Sequence, residues 1–243
     1  MKLNALTWNT EWATPTSRRT PEILRRIEEH APDIVCLTEA HEALLATTGY
    51  TISAGDDYGY TPKASRRKVL LWSKQPWEQV DDLGLASLPP GRFVSGVTQT
   101  PLGAVTVVGI CIPWWGCRTE SYRGANRKAR WQDHEAYLEG LTAILAQLPA
   151  ERLIVMGDFN QIIGPGARAP RPLQTKLTEA FPPGIPIVTA DHAFHDRKTI
   201  DHIALGEGLA AESLHTISNV QEEGKRLSDH FGIAASVVNS RTS

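Results

Sequence analysis

Cysteine is scarce: the 243 residues hold three, Cys36, Cys111 and Cys117, and no C-x-x-C pair. That pattern excludes a disulfide framework, argues against a structural zinc site and fits a reducing, cytoplasmic setting. Excess charge is missing too, with 25 Lys and Arg against 27 Asp and Glu. A near-neutral chain has no global pull on a polyanion, so any phosphate or nucleic-acid binding must come from local clusters of cations. No apolar run is long enough to cross a bilayer: the longest, Gly103 to Gly116, is broken by Pro113. The opening MKLNALTWNTEW turns polar too soon for a signal peptide. The expectation is therefore a protein without membrane association. No protein partner is evident, and no repeat or low-complexity tract divides the chain, so residues 1–243 are expected to form one domain.

What is present is a series of short apolar runs rich in β-branched residues. They are Leu3 to Trp8, Asp33 to Leu37, Lys68 to Trp72, Arg92 to Thr98, Ala104 to Ile112, Leu153 to Met156, Ile185 to Thr189, Thr199 to Leu205 and Ile233 to Val238. Their length and composition predict buried strands. Helical patterns lie between them. Thr20-Pro21-Glu22 reads as a cap and first turn of a helix to about His30, and Glu39 to Thr47 reads as a shorter helix. A long helix is predicted from about Asn126 to Leu148, stopped by Pro149. Interleaved strands and helices point to a layered α/β domain.

Polar groups stand at the ends of these runs. Asn9, Glu39 and Asp158-Phe159-Asn160 follow apolar runs, whereas Asp201-His202 and Asp229-His230 come at or just before them. If strands of opposite direction lie side by side, the end of one meets the start of the next and all these groups share one rim. Four carboxylates there (Glu39, Asp158, Asp201, Asp229) would repel one another unless a cation or a shared proton compensates. Oxygen ligands of this kind suit Mg²⁺ or Mn²⁺, and such ions favour phosphate esters as substrates.

The motifs Thr7-Trp8-Asn9, Leu37-Thr38-Glu39, Gly157-Asp158-Phe159-Asn160, Ile200-Asp201-His202 and Ser228-Asp229-His230 occur in an order that resembles the endonuclease/exonuclease/phosphatase superfamily, with DNase I-like and AP endonuclease-like members. The resemblance implies a four-layered α/β/β/α sandwich of two mostly antiparallel sheets, with the site at one end. It implies that Glu39 is the principal metal ligand, with Asn9 beside it, and that Asp229 is a further metal or water contact. Asp158 would orient or deprotonate the attacking water, and Asn160 would contact the phosphate. Asp201 would fix His230, which would hydrogen-bond a phosphoryl oxygen. The implied reaction is in-line attack of water on phosphorus, with Asp158 acting mainly by positioning because an ordinary aspartate is a weak base at about neutral pH.

One position departs from the family pattern. Cys111 stands where members often carry a phosphate-facing tyrosine or histidine, and a thiol is a shorter, weaker donor. Trp114, Arg118 and Arg123 are the expected substrate contacts. They belong to a stretch in which residues 118–130 carry five cations against Glu120 alone, a guide for a phosphate chain or simply a solvated helix start. Arg66-Arg67-Lys68 reads as a basic strand flank rather than a second phosphate contact. Asp191 to Asp196 reads as a solvated loop rather than a metal site, His202 as a site or core imidazole, Cys36 as a core residue and Cys117 as a loop thiol. The expected function is a divalent-metal-dependent phosphodiesterase or nuclease. A phosphomonoesterase of the same family, and a non-catalytic binding module that kept the fold, are the alternatives.

Overall fold

A computed structural model describes residues 1–45, 49–119 and 128–240. In chain order the elements are β1 (Leu3–Asn9), α1 (Thr20–Glu28), β2 (Ile34–His41), β3 (Tyr50–Ser53), β4 (Arg66–Ser73), β5 (Trp77–Asp81), β6 (Phe93–Thr100), β7 (Gly103–Cys111), α2 (Gln132–Leu145), β8 (Leu153–Asp158), α3 (Arg171–Ala180), β9 (Ala193–Phe194), β10 (Arg197–Lys198), β11 (Asp201–Leu205), β12 (Leu209–Ile217) and β13 (Gly232–Asn239). They form the expected pair of sheets, a six-stranded one ordered β12-β13-β1-β2-β4-β3 and a five-stranded one ordered β11-β8-β7-β6-β5, with β9 and β10 a separate hairpin. Pairing is antiparallel except at β1–β2 and β7–β8, near the middle of each sheet. No helix among the described residues is long and apolar enough to cross a membrane.

Three apolar layers hold the sandwich. Between the sheets, Leu3, Cys36, Val69 and Leu71 meet Val107, Met156 and Ile203. Outside the six-stranded sheet, Ile23 and Ile27 of α1 cover Leu6, Leu37 and Leu70. Outside the five-stranded sheet, Tyr137, Leu141 and Leu177 of α2 and α3 cover Val108, Ile110 and Val155. Central strands are thus buried on both faces, which is why they read as continuous apolar runs in the sequence.

Several local expectations change. Residues Glu39 to Leu45 form no helix: β2 continues to His41 because Ala40 and His41 pair with Arg67 and Arg66 of β4. Ala46 to Thr48 lie outside the described residues. The long helix starts at Gln132, not near Asn126, because Trp131 has φ 68°, a left-handed conformation that no right-handed helix continues through. Thr20 does not cap α1; its hydroxyl donates to Thr14 O at 2.6 Å. Ile185 to Thr189 makes only an isolated bridge, Ile187 to Ala204. The edge strands β3, β5 and β12 carry little apolar patterning, and the short helix α3, with Leu173, Leu177 and Ala180 buried, is a further element absent from the expectations.

Gly157 shows how tightly the end of β8 is packed. It has φ +137°, and a Cβ there would stand 2.0 Å from Ile110 O on β7. Positive φ and overpacking each cost about 1–3 kcal/mol. Gly157→Ala is therefore expected to lower the thermal midpoint by roughly 5–15 °C, as read by circular dichroism; an unchanged midpoint would show that β7 and β8 yield easily.

Candidate active site

The strand ends meet as their opposed directions require. Antiparallel register sets Asp201 of β11 against Asp158 of β8, and parallel register sets Cys111 of β7 on the other side of Asp158. In the facing sheet, β13 runs antiparallel to β1, pairing Ile233 with Thr7 and so bringing the preceding His230 towards Asn9. Two bonds lock this corner: Trp8 Nε1 donates to His230 O at 2.8 Å, and Ser228 Oγ donates to Asn9 O at 2.6 Å.

Asp158 is the hub. Asn9 Nδ2 donates to its Oδ2 at 3.2 Å, and the Asn160 backbone N–H donates to its Oδ1 at 2.9 Å. Asn9 is held in turn by the Glu11 N–H, which donates to Asn9 Oδ1 at 2.9 Å. Asn160 is held by its own amide, which donates to Ile112 O at 2.8 Å. Burial, with the neighbouring Asp201 and Glu39 charges, pushes the Asp158 carboxyl up to about 7 even though His230 pulls it down. A carboxyl raised into that range holds a proton more readily near neutrality than an ordinary aspartate.

His230 Nδ1 donates to Asp201 Oδ2 at 2.6 Å. Burial works against a charged imidazole, but the Asp201 carboxylate outweighs it, and His230 is raised to about 10. The other carboxylate oxygen, Asp201 Oδ1, is buried with no hydrogen-bond partner among the described residues. Asp158, Asp201 and His230 offer ligand atoms within 4.8 Å of one another, the one such cluster among the described residues. A buried acidic set with an orphaned oxygen fits a hard divalent cation.

The remaining expected residues lie around this centre. Glu39, at φ 47°, projects from β2 into an ion pair with Lys68 Nζ at 2.6 Å. Asp229 is half exposed, 3.9 Å from His230 Nε2, and its backbone carbonyl accepts from Arg197 at 3.0 Å. Trp114 and Trp115 stand exposed beyond β7 in an edge-on pair with centroids 5.0 Å apart, and Arg130 lies over Trp115 at 4.8 Å. The backbone N–H of Arg118 donates to Tyr60 OH at 3.0 Å. Arg123 lies outside the described residues, as do Glu120 and Arg127. Lys128 is paired with Asp133 at 2.6 Å, which takes it out of the basic stretch as a free charge.

Other assignments are resolved by burial. His202 is a core imidazole held by Thr189 and Gln161 O at 3.0 Å each, and burial pushes it down to about 4. Asp191 to Asp196 includes the small exposed hairpin arm β9 and holds no ligand cluster. Cys117 is a loop thiol, as expected, but a buried one: it accepts from Tyr60 OH at 3.3 Å and from Arg92 Nη2 at 3.4 Å. Sequence reading missed one positioning network. His134 Nδ1 donates to Pro113 O at 2.6 Å while Gln161 Nε2 donates to His134 Nε2 at 2.7 Å, tying the Trp114 loop to the turn after Asp158. Its signal, a histidine near the start of a helix, is too common to single out.

Comparison with known proteins bears on the fold. No curated protein sequence matches significantly. Among solved structures, an endonuclease/exonuclease/phosphatase from Bacteroides vulgatus is 15% identical with a TM-score of 0.67, covering 99% of this chain and 100% of its own. The 3′ phosphatase NExo from Neisseria, bound to a product DNA hairpin, is 15% identical with a TM-score of 0.67, covering 96% and 98%. TDP2 of D. rerio, complexed with single-strand DNA product, is 14% identical with a TM-score of 0.66, covering 98% and 99%. At such identities these likenesses show the fold. The family model Endonuclease/Exonuclease/phosphatase family matches residues 6–230. The chain therefore belongs to the endonuclease/exonuclease/phosphatase family of phosphoric-ester hydrolases.

Proposed function

We propose that the chain is a Mg²⁺- or Mn²⁺-dependent phosphodiesterase, with nucleic acid as its foremost substrate class. The observation that carries this reading is the hub at Asp158, flanked by Asn9 and Asn160 on one side and by the Asp201–His230 pair on the other. Asp158 orients the attacking water and takes its proton, Asn9 keeping the carboxylate aimed. His230, held as an imidazolium by Asp201, donates to a phosphoryl oxygen as negative charge builds there, usually the largest catalytic contribution. Because its ring is charged and committed to Asp201, His230 is a poor cation ligand. Glu39 and Asp229, beside the Asp158 and Asp201 carboxylates, are the residues that would hold the ion. When bound, the ion supplies Lewis-acid polarisation of a phosphate oxygen.

Support for nucleic acid comes from the rim. Exposed Trp114 and Trp115 with Arg130, and on the Glu39 side the half-buried Trp12 with Arg66 at 4.7 Å, offer rings and cations for bases and backbone. The test is release of nitrophenol from bis-p-nitrophenyl phosphate against p-nitrophenyl phosphate, with plasmid nicking, in Mg²⁺, Mn²⁺ or EDTA. Diester cleavage and nicking that EDTA stops are the expected results. Monoester cleavage alone would make it a phosphomonoesterase, and cleavage of nothing by folded, metal-loaded protein would leave a binding module.

A further inference from the structure

Two cations are buried on the β4–β6–β7 flank of the site. Lys68 stands on β4 across from Glu39, between the register pairs Thr38–Val69 and Ala40–Arg67. Its side chain is 9% exposed. An ammonium has three donors, and only Glu39 Oε1, at 2.6 Å, accepts from this one among the described residues. The Trp12 ring, 4.9 Å from Nζ, adds a cation–π contact but no acceptor atom. Arg92, wholly buried just before β6, also has no carboxylate partner among the described residues. Its Nη1 reaches Cys111 O at 3.4 Å and Cys111 Sγ at 3.8 Å, its Nη2 reaches Cys117 Sγ, and its Nε has no acceptor. A charged group buried with donors to spare is costly unless something else accepts from it.

Cys111 occupies this same flank beside Asp158. Burial pushes its thiol up to about 12 against the pull of Lys68 and Arg92, so it stays neutral and short. The position where related proteins often present a phosphate-facing tyrosine or histidine thus presents nothing that reaches out, while Lys68, on β4 of the facing sheet, keeps donors to spare.

We propose that Lys68 is a substrate-binding residue that replaces the missing side chain at position 111, its spare N–H groups donating to an oxygen of the substrate phosphate from the flank opposite Asp201 and His230. This inference rests on the phosphate-ester reading of the site. Lys68 stabilises charge on the oxygen it contacts. Glu39 anchors the ammonium, and Arg92 keeps the flank behind it positive.

The test compares wild type, Lys68→Met and Lys68→Arg for turnover of bis-p-nitrophenyl phosphate, for inorganic phosphate binding by calorimetry and for Mn²⁺ binding. Lys68→Met is expected to lose about 10²-fold in kcat and about tenfold in phosphate affinity, with Mn²⁺ affinity equal to wild type or tighter, since a competing cation beside Glu39 is gone. Lys68→Arg should recover most of both losses. Unchanged phosphate affinity in Lys68→Met, wild-type protein that binds no phosphate, or loss of Mn²⁺ affinity together with thermal stability would each overturn the proposal. The phosphate measurement is independent of turnover, so a wild type that holds phosphate through Lys68 yet cleaves no ester would sink the hydrolase reading and leave Lys68 in place.

Discussion

Asp158→Asn is expected to lower kcat/KM for a phosphodiester by about 10³-fold or more, because an amide can neither take the water's proton nor accept from Asn9 and Asn160 at once. The fold should survive and, in the absence of divalent ions, gain stability. Asp158 is raised from its ordinary 3.8 to about 7 by burial and neighbouring carboxylates. A raised carboxyl contributes its stability in full below about 4 and loses it as pH rises through 7. Above pH 7 the wild type therefore carries a buried charge that asparagine lacks. Thermal unfolding in EDTA should show Asp158→Asn gaining on the wild type between pH 4 and pH 8. Wild-type turnover by the variant would refute the assignment of the hub, and a pH-independent gap in midpoint would refute its electrostatics. Activity held at the expense of stability is a common arrangement in enzyme sites.

The second large effect is at His230. His230→Ala removes the donor to the phosphoryl oxygen, which is expected to cost about 10²–10³-fold in kcat. It also strands Asp201, whose Oδ1 already lacks a partner, so both carboxylate oxygens would be buried and unsatisfied. Breaking a buried pair from one side costs about 3–5 kcal/mol. His230 is raised from 6.5 to about 10. Stability from such a group is fully present below 6.5 and lost as pH climbs through 10. The gap in midpoint between wild type and His230→Ala should accordingly be widest near pH 6 and close towards pH 10. Turnover like that of the wild type, or a gap that widens with pH, would contradict the Asp201–His230 arrangement.

The two sheets were legible where strands are covered on both sides. Ile34 to Leu37 and Leu153 to Met156 are wholly buried, so every residue, not every second one, had to be apolar. Edge strands such as Trp77–Asp81 face solvent and carry little of that signal, so they were missed. The Glu39 to Thr47 segment reads as helical by local pattern, yet the ladder to β4 takes its first residues, through His41, because cross-strand hydrogen bonds outweigh a weak helical preference.

The residues of the hub could be named from order and spacing, since Asn9, Asp158, Asn160, Asp201 and His230 each sit beside an apolar run whose burial demands a strand. That ordering required the ends of β1 and β8 and the starts of β11 and β13 to share a rim, and no chain-local rule states how close they come. Packing of one sheet on the other made Asp158 a carboxyl near 7, through dehydration and the distant Asp201 and Glu39 charges, and made His230 an imidazolium against dehydration, chiefly through Asp201, 29 residues away in the chain. The same packing turned Lys68 from an ordinary basic flank into a buried ammonium facing Glu39. Composition and order determined which chemical groups the protein owns; only the folded arrangement decided their charge states and partners, since electrostatic energy depends on distance and solvent access rather than on position along the chain.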